Sequence, residues 1–171
     1  MPLHVPGHKR GRGVHPKLRD ALAGGGALAC DLTELAGLDF LSAPSGPILE
    51  AQRLAARAFG AESTWFLVNG CSVGVHAAVM AACQPGGRVA LARNCHLSAF
   101  AALALAGCEP LWVMPEQDAR HGVAHCVTPA ALASVLDGAA ARGQRVDAAL
   151  VVSPTYFGAV ADIPGAFYWG R

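Results

Sequence analysis

Apolar and polar residues change their period several times along the chain, and each change predicts an element. From Pro47 to Phe59, apolar residues recur at Ile48, Ala51, Ala55 and Phe59, with Leu54 and Ala58 beside them. That is helical spacing, and Gly60 is a fitting stop. Thr64–Val68 is a short apolar run that reads as a strand, and Ser72–Gln84 reads as a helix closed by Pro85, Gly86 and Gly87. Arg88–Ala92 predicts a second strand, His96–Ala106 a helix ending at Gly107, and Pro110–Met114 a third strand. Thr128 and Pro129 open a helix that runs to about Arg142, and Ala148–Val152 is a fourth strand. Strands that are nearly continuous apolar runs, alternating with helices, define a parallel sheet covered on both faces.

Upstream, residues 1–46 are rich in Gly, Pro and His and show weak periodicity. One helix is predicted over Pro16–Ala23, with Gly24, Gly25 and Gly26 ending it. The expected organisation is therefore a lead-in over 1–46, an α/β domain over 47–163 and a tail over 164–171. At 171 residues the chain is long enough for one ordinary core.

Composition narrows the function classes. Hydrophobic residues are 53% and charged residues 15%, which argues against disorder. A net charge of +1 recommends neither nucleic acid nor an acidic membrane as partner. No apolar run reaches the ~18 residues of a membrane span, and the basic N-terminus lacks the apolar core of a secretory signal. The six cysteines show no C-x-x-C spacing, so free buried thiols in a reducing, cytoplasmic compartment are expected, and no metal site.

Candidate chemistry gathers at the strand ends, where parallel α/β sheets bind ligands. After the first predicted strand comes "NGCSVG", Asn69–Gly74. Gly70 permits a tight turn, Ser72 is placed to cap the next helix, and the free N–H groups there favour a phosphate-sized anion. A plain N-cap is the competing reading. The turn is neither a Walker loop, since no Lys follows, nor a dinucleotide fingerprint. The second strand runs into "RNCHLS", where the His96 imidazole either caps or packs, or lies flat on an aromatic ligand. The fourth ends in "SPTYFG", which brings the hydroxyls of Thr155 and Tyr156 to the same edge. A planar heteroaromatic ring with a phosphate handle fits this set.

Several segments then carry a resemblance. "HVPGHKRG" (His4–Gly11), "DLTELAGLDFLSAPSGPILEAQRLAARAFGAESTWFLVNGCSVG", "RNCHLS", "LAGCEPLWVMP" and "VVSPTYFGAVADI" together resemble the major domain of the Orn/Lys/Arg decarboxylases over about residues 4 to 163. The resemblance implies a three-layer α/β/α fold with a mostly parallel sheet, that of the aspartate-aminotransferase-like (fold type I) pyridoxal-phosphate enzymes. It implies pyridoxal 5'-phosphate as cofactor, a basic amino acid (ornithine, lysine or arginine) as substrate, decarboxylation as the reaction and a homo-oligomer as the working form. By position, Gly70, Cys71, Ser72 and Val73 would hold the cofactor phosphate, although the family often has Ser or Thr where Cys71 stands. His96 would stack on the ring, Ser153 and Thr155 would lie near its edge, and Pro6–Lys9 would shape the region.

In that family a lysine further along the chain bonds the cofactor, and an aspartate faces the ring nitrogen. Here the only lysines are Lys9 and Lys17, and Asp162 matches the lead-in to a helix instead. No catalytic residue is therefore assigned, and the chain reads as the front half of a catalytic domain. A non-catalytic module pairing with a full-length relative, and another fold type I enzyme such as an aminotransferase, are the competing readings.

Overall fold

The computed structural model describes residues 2–22 and 26–167. The chain divides into two compact units, residues 1–66 and 67–171. In the first unit, α1 (Pro16–Ala21) starts on His15, whose ring accepts the Lys17 N–H, and α2 spans Gly26–Cys30. Ala23, Gly24 and Gly25, part of the predicted helix and its stop, lie outside the described residues. In the upstream motif His8 pairs with Asp31 at 3.0 Å, while Lys9 and Arg10 both take left-handed backbone angles.

Helix α3 (Pro47–Phe59) has the predicted bounds and ends on left-handed Gly60. Its start depends on a residue eight positions upstream. One Asp39 carboxylate oxygen accepts the N–H groups of Phe40 and Ser45 at 2.9 and 2.8 Å. The other accepts those of Gly46, Ile48 and Leu49 at 2.8–3.3 Å. The loop thus wraps a single carboxylate, which supplies the cap that Gly46 has no side chain to make.

The second unit holds α4 (Gly70–Ala82), β1 (Arg88–Ala92), α5 (Leu97–Ala106), β2 (Glu109–Val113), the small ribbon β3 (Gln117–Asp118) and β4 (Val123–Ala124), α6 (Pro129–Ala141), β5 (Ala148–Leu150) and α7 (Ile163–Phe167). The main sheet has the order β2-β1-β5, with both pairings parallel. β1 is buried on both faces. Val89 and Leu91 pack with Val79 of α4 and with Ala99, Ala102, Leu103 and Ala106 of α5. Ala90 and Ala92 pack with Val113, Val127 and Leu132 on the α6 side. The small residues of α5 bring that helix close to the sheet. These layers are the expected three-layer α/β/α arrangement.

At the amino end of the sheet Asp147 accepts the Arg88 N–H at 2.9 Å and pairs with Arg145 at 3.0 Å. A Cβ on Gly87 would come within 2.6 Å of the Cys83 sulfur and closer still to Asp147, so glycine is required there.

Three expectations need correction. Thr64–Val68 forms no strand: its backbone finds no ladder partner among the described residues, and Trp65 and Val68 are 72% and 79% exposed. A pleated run is held by its neighbours more than by its own composition. The α4 helix begins at Gly70, not Ser72, with Asn69 as N-cap, and Gly70 turns the chain into it with a left-handed φ of 74°. The cysteines are free, yet only Cys83 and Cys126 are buried, while Cys30 and Cys71 are exposed. Burial, and next to it Cys108, pushes the Cys83 thiol up to about 12, so it stays protonated and packs as an apolar group.

Two outcomes test this packing. Leu91, 1% exposed, should cost about 2–5 kcal/mol as Leu91→Ala in urea unfolding. Backbone donors, Ser45 foremost, hold the Asp39 carboxyl well below the usual range, so its contribution is complete above the unfolded value near 4 and is lost as pH falls below it. Asp39→Asn should lower the urea midpoint at pH 7, and the gap from the parent should narrow below about pH 4.

Candidate functional site

The strand directions decide where a site can form. β1 and β5 run parallel, so the turns after both reach the carboxyl end of the sheet together. A cavity of about 270 Å³ opens there, lined among others by Val75, Asn94, His96, Ser98, Thr155 and Tyr156.

His96 is the N-cap of α5. Its Nδ1 accepts the Ser98 backbone N–H at 3.1 Å and lies 2.9 Å from the Ser98 hydroxyl. With Nδ1 accepting the cap bond, Nε2 is the ring nitrogen left to face a ligand. The imidazole is thereby both cap and cavity wall. Beside it, the Arg93 guanidinium lies 5.7 Å from the Phe100 ring and 5.2 Å from Trp112, and the Arg93 backbone N–H donates to the Val113 carbonyl at 2.9 Å. These contacts pin the turn after β1 to β2 and α5.

Thr155 is 8% exposed and faces the same cavity. Its Oγ1 accepts the Ala159 N–H at 3.2 Å and its own N–H donates to the Ala159 carbonyl at 2.9 Å, closing a small loop. The hydroxyl proton remains available to a ligand. Ser153 is not part of the lining, and its Oγ accepts the Ala161 N–H at 3.1 Å. Tyr156 stands at the rim, 87% exposed.

Gly70, Cys71, Ser72 and Val73 form the first turn of α4, immediately before the cavity-lining Val75. A Cβ at Gly70 would meet nothing within 4 Å, so its approach is open. Asn69 gives no side-chain cap, and among the described residues the N–H groups of Gly70, Cys71 and Ser72 have no acceptor in the protein. They point out of a thirteen-residue helix at its positive end. Cys71 and Ser72 are exposed and Val73 is half-buried.

Asn94 was not singled out from the sequence. It stands two residues beyond an apolar parallel strand, and a polar side chain there was the available signal. Asp162 precedes α7 and accepts the Gly165 N–H at 3.0 Å, in keeping with the helix lead-in expected of it. No group of three or more His, Cys, Asp or Glu among the described residues could hold a metal ion, and no helix among them is long and apolar enough to cross a membrane.

A parallel α/β sheet with a cavity at its carboxyl end, walled by the His96 ring and by Val75 of a helix whose start is open, is an arrangement of the α/β ligand-binding class. The comparisons with known proteins make this specific. Residues 1–166 match the family model for the Orn/Lys/Arg decarboxylase major domain, and the chain belongs to that family. It is 41% identical over 163 residues to an arginine decarboxylase of Bacillus anthracis, covering 94% of this chain and 32% of the relative. The arginine decarboxylase of Bacillus subtilis gives 41% over 162 residues with the same shares. Among solved structures, the constitutive lysine decarboxylase of Escherichia coli superposes with a TM-score of 0.73 at 26% identity, over 91% of this chain and 23% of the other. Lysine decarboxylase A of Pseudomonas aeruginosa gives 0.69 at 27%, over 81% and 20%. The chain thus spans about a third of the length of the curated relatives it matches.

The double role of His96 can be separated by substitution. His96→Ala should cost about 1 kcal/mol in thermal unfolding through loss of the cap, while His96→Asn, which keeps an N-cap acceptor, should stay within about 0.5 kcal/mol of the parent.

Proposed function

We propose that this chain provides the phosphate- and ring-holding part of a pyridoxal-phosphate-dependent decarboxylase of a basic amino acid. The observation that carries the reading is one cavity at the carboxyl end of the sheet whose wall holds the cap-fixed His96 ring together with Val75, which follows the unsatisfied start of α4 in the same helix. The donor set suits the cofactor. Three backbone N–H groups and the Ser72 hydroxyl are free for phosphate oxygens, the His96 plane offers a stacking face, and Thr155 offers a hydroxyl proton to a ring substituent. The exposed Cys71 adds a weaker donor than the serine or threonine hydroxyl common in the family.

When bound, pyridoxal phosphate supplies an electron sink for the carbanion left by departing carbon dioxide. The residues of this chain act by position. The α4 start neutralises part of the phosphate charge, the Val75, Leu150 and Val152 side chains exclude water from one side of the cavity, and His96 sets the plane of the ring. No lysine follows Lys17, so residues 67–171 hold the cofactor without a covalent bond. Whole-enzyme turnover, the choice among ornithine, lysine and arginine, and assembly into an oligomer belong to the longer relatives by this reading.

Titration of the 171-residue chain tests it. Pyridoxal 5'-phosphate and pyridoxine 5'-phosphate, which lacks the aldehyde, should bind with similar affinity, and inorganic phosphate should compete with both. Borohydride reduction should leave no adduct on residues 67–171. Ser72→Asp should weaken both ligands at least tenfold through charge repulsion, with stability unchanged or raised because an acid suits a helix start. Absence of binding by the folded parent chain would overturn the proposal.

A further inference from the structure

The base of the β3–β4 ribbon touches both turns that line the cavity. Asn94 Nδ2 donates to the His125 carbonyl at 2.9 Å. The next residue, Cys126, is 8% exposed, and its thiol donates to the Ala159 carbonyl at 3.2 Å. Ala159 is in turn bound twice to Thr155, once through each backbone group. A continuous path of hydrogen bonds therefore runs from the turn bearing His96, through His125 and Cys126, to the loop bearing Thr155. The ribbon base is itself fixed, since Glu116 exchanges backbone bonds with His125 and Cys126 at 2.8 and 3.1 Å. A small cavity of about 60 Å³, lined by Asn94, Ala124, Val152, Thr155, Tyr156 and Phe157, lies between these pieces. The β1–β5 pairing brings the two turns side by side, and the ribbon base adds a second tie beyond the strand ends.

We infer that Asn94 and Cys126 are positioning residues that set the spacing of His96 and Thr155 across the cavity by way of the ribbon base. The inference rests on the cofactor reading for its ligand, but the path itself is independent of it. Asn94 keeps its amide nitrogen on His125, which turns its amide oxygen away from that carbonyl. Cys126 acts as a buried donor of the right length and not as a nucleophile. The phosphate turn of α4 lies outside this path, so loss of the path should affect how the ring is held and leave the phosphate site alone.

The experiment uses the whole chain with Asn94→Ala, Cys126→Ala and Cys126→Ser. Affinities for pyridoxine 5'-phosphate and for inorganic phosphate are measured together with amide hydrogen exchange at Thr155 and Ala159. Asn94→Ala and Cys126→Ala should each weaken pyridoxine 5'-phosphate by up to about tenfold, the factor carried by one buried hydrogen bond, with phosphate affinity unchanged. Exchange at Ala159 should quicken in both. Cys126→Ser, which keeps an O–H donor, should restore affinity and protection, and it remains informative if an alanine variant fails to fold. Parallel loss of affinity for both ligands with a fall in thermal midpoint, or unchanged exchange at Ala159 in Asn94→Ala, would overturn the inference. If the parent chain binds neither ligand, the proposed function fails, while the exchange measurement still decides whether the path exists.

Discussion

The central strand has no free face and no free edge. Residues 88–92 pair with β2 on one side and β5 on the other, and their side chains alternate between two apolar layers. A one-residue slip would push Val89 and Leu91 against Val113, Val127 and Leu132 and leave Ala90 and Ala92 facing the alanines of α5. The strand is therefore fixed in register, and so is the point at which the chain leaves it. Arg93, Asn94 and His96 follow within four residues of that exit. Packing that involves none of them sets where this turn begins, and their own contacts then hold it.

The chemistry proposed for the site depends on economy of groups. His96 uses one ring nitrogen to satisfy the helix that it starts and presents a plane and the other nitrogen outward. Thr155 uses its oxygen lone pair within its own loop and keeps a proton to donate. The first turn of α4 is the exception, because it satisfies nothing within the protein. A helix start left open beside a cavity is destabilised unless water or an anion meets it, which is why the phosphate reading gains weight from the fold over what the turn gave alone.

Much of this was legible beforehand. The amphipathic spacing of 47–59, the Thr128-Pro129 start of α6 and the apolar runs of β1 and β2 are local signals, and they gave elements within a residue or two. Thr64–Val68 misled because an apolar run specifies burial, and which strand would lie beside it is not written in its own residues. Ser72 misled because Gly70 could turn two residues sooner. The β3–β4 ribbon, with two residues per strand, is too short to show a period, and so the contribution of His125 and Cys126 to the site was invisible. Asp39 was equally hidden, since its five N–H partners are gathered by the fold of a loop. The cap that His96 places on α5 was among the readings of its position at a helix start, while its bond to the Ser98 N–H needed the fold.

A crystal structure of this chain grown with pyridoxine 5'-phosphate tests the central claim most directly. The account requires the phosphate on the N–H groups of residues 70–72 and the pyridine ring stacked on His96 with an edge towards Thr155. A ligand bound elsewhere, or a His96 plane turned away from the cavity that the α4 start adjoins, would contradict it.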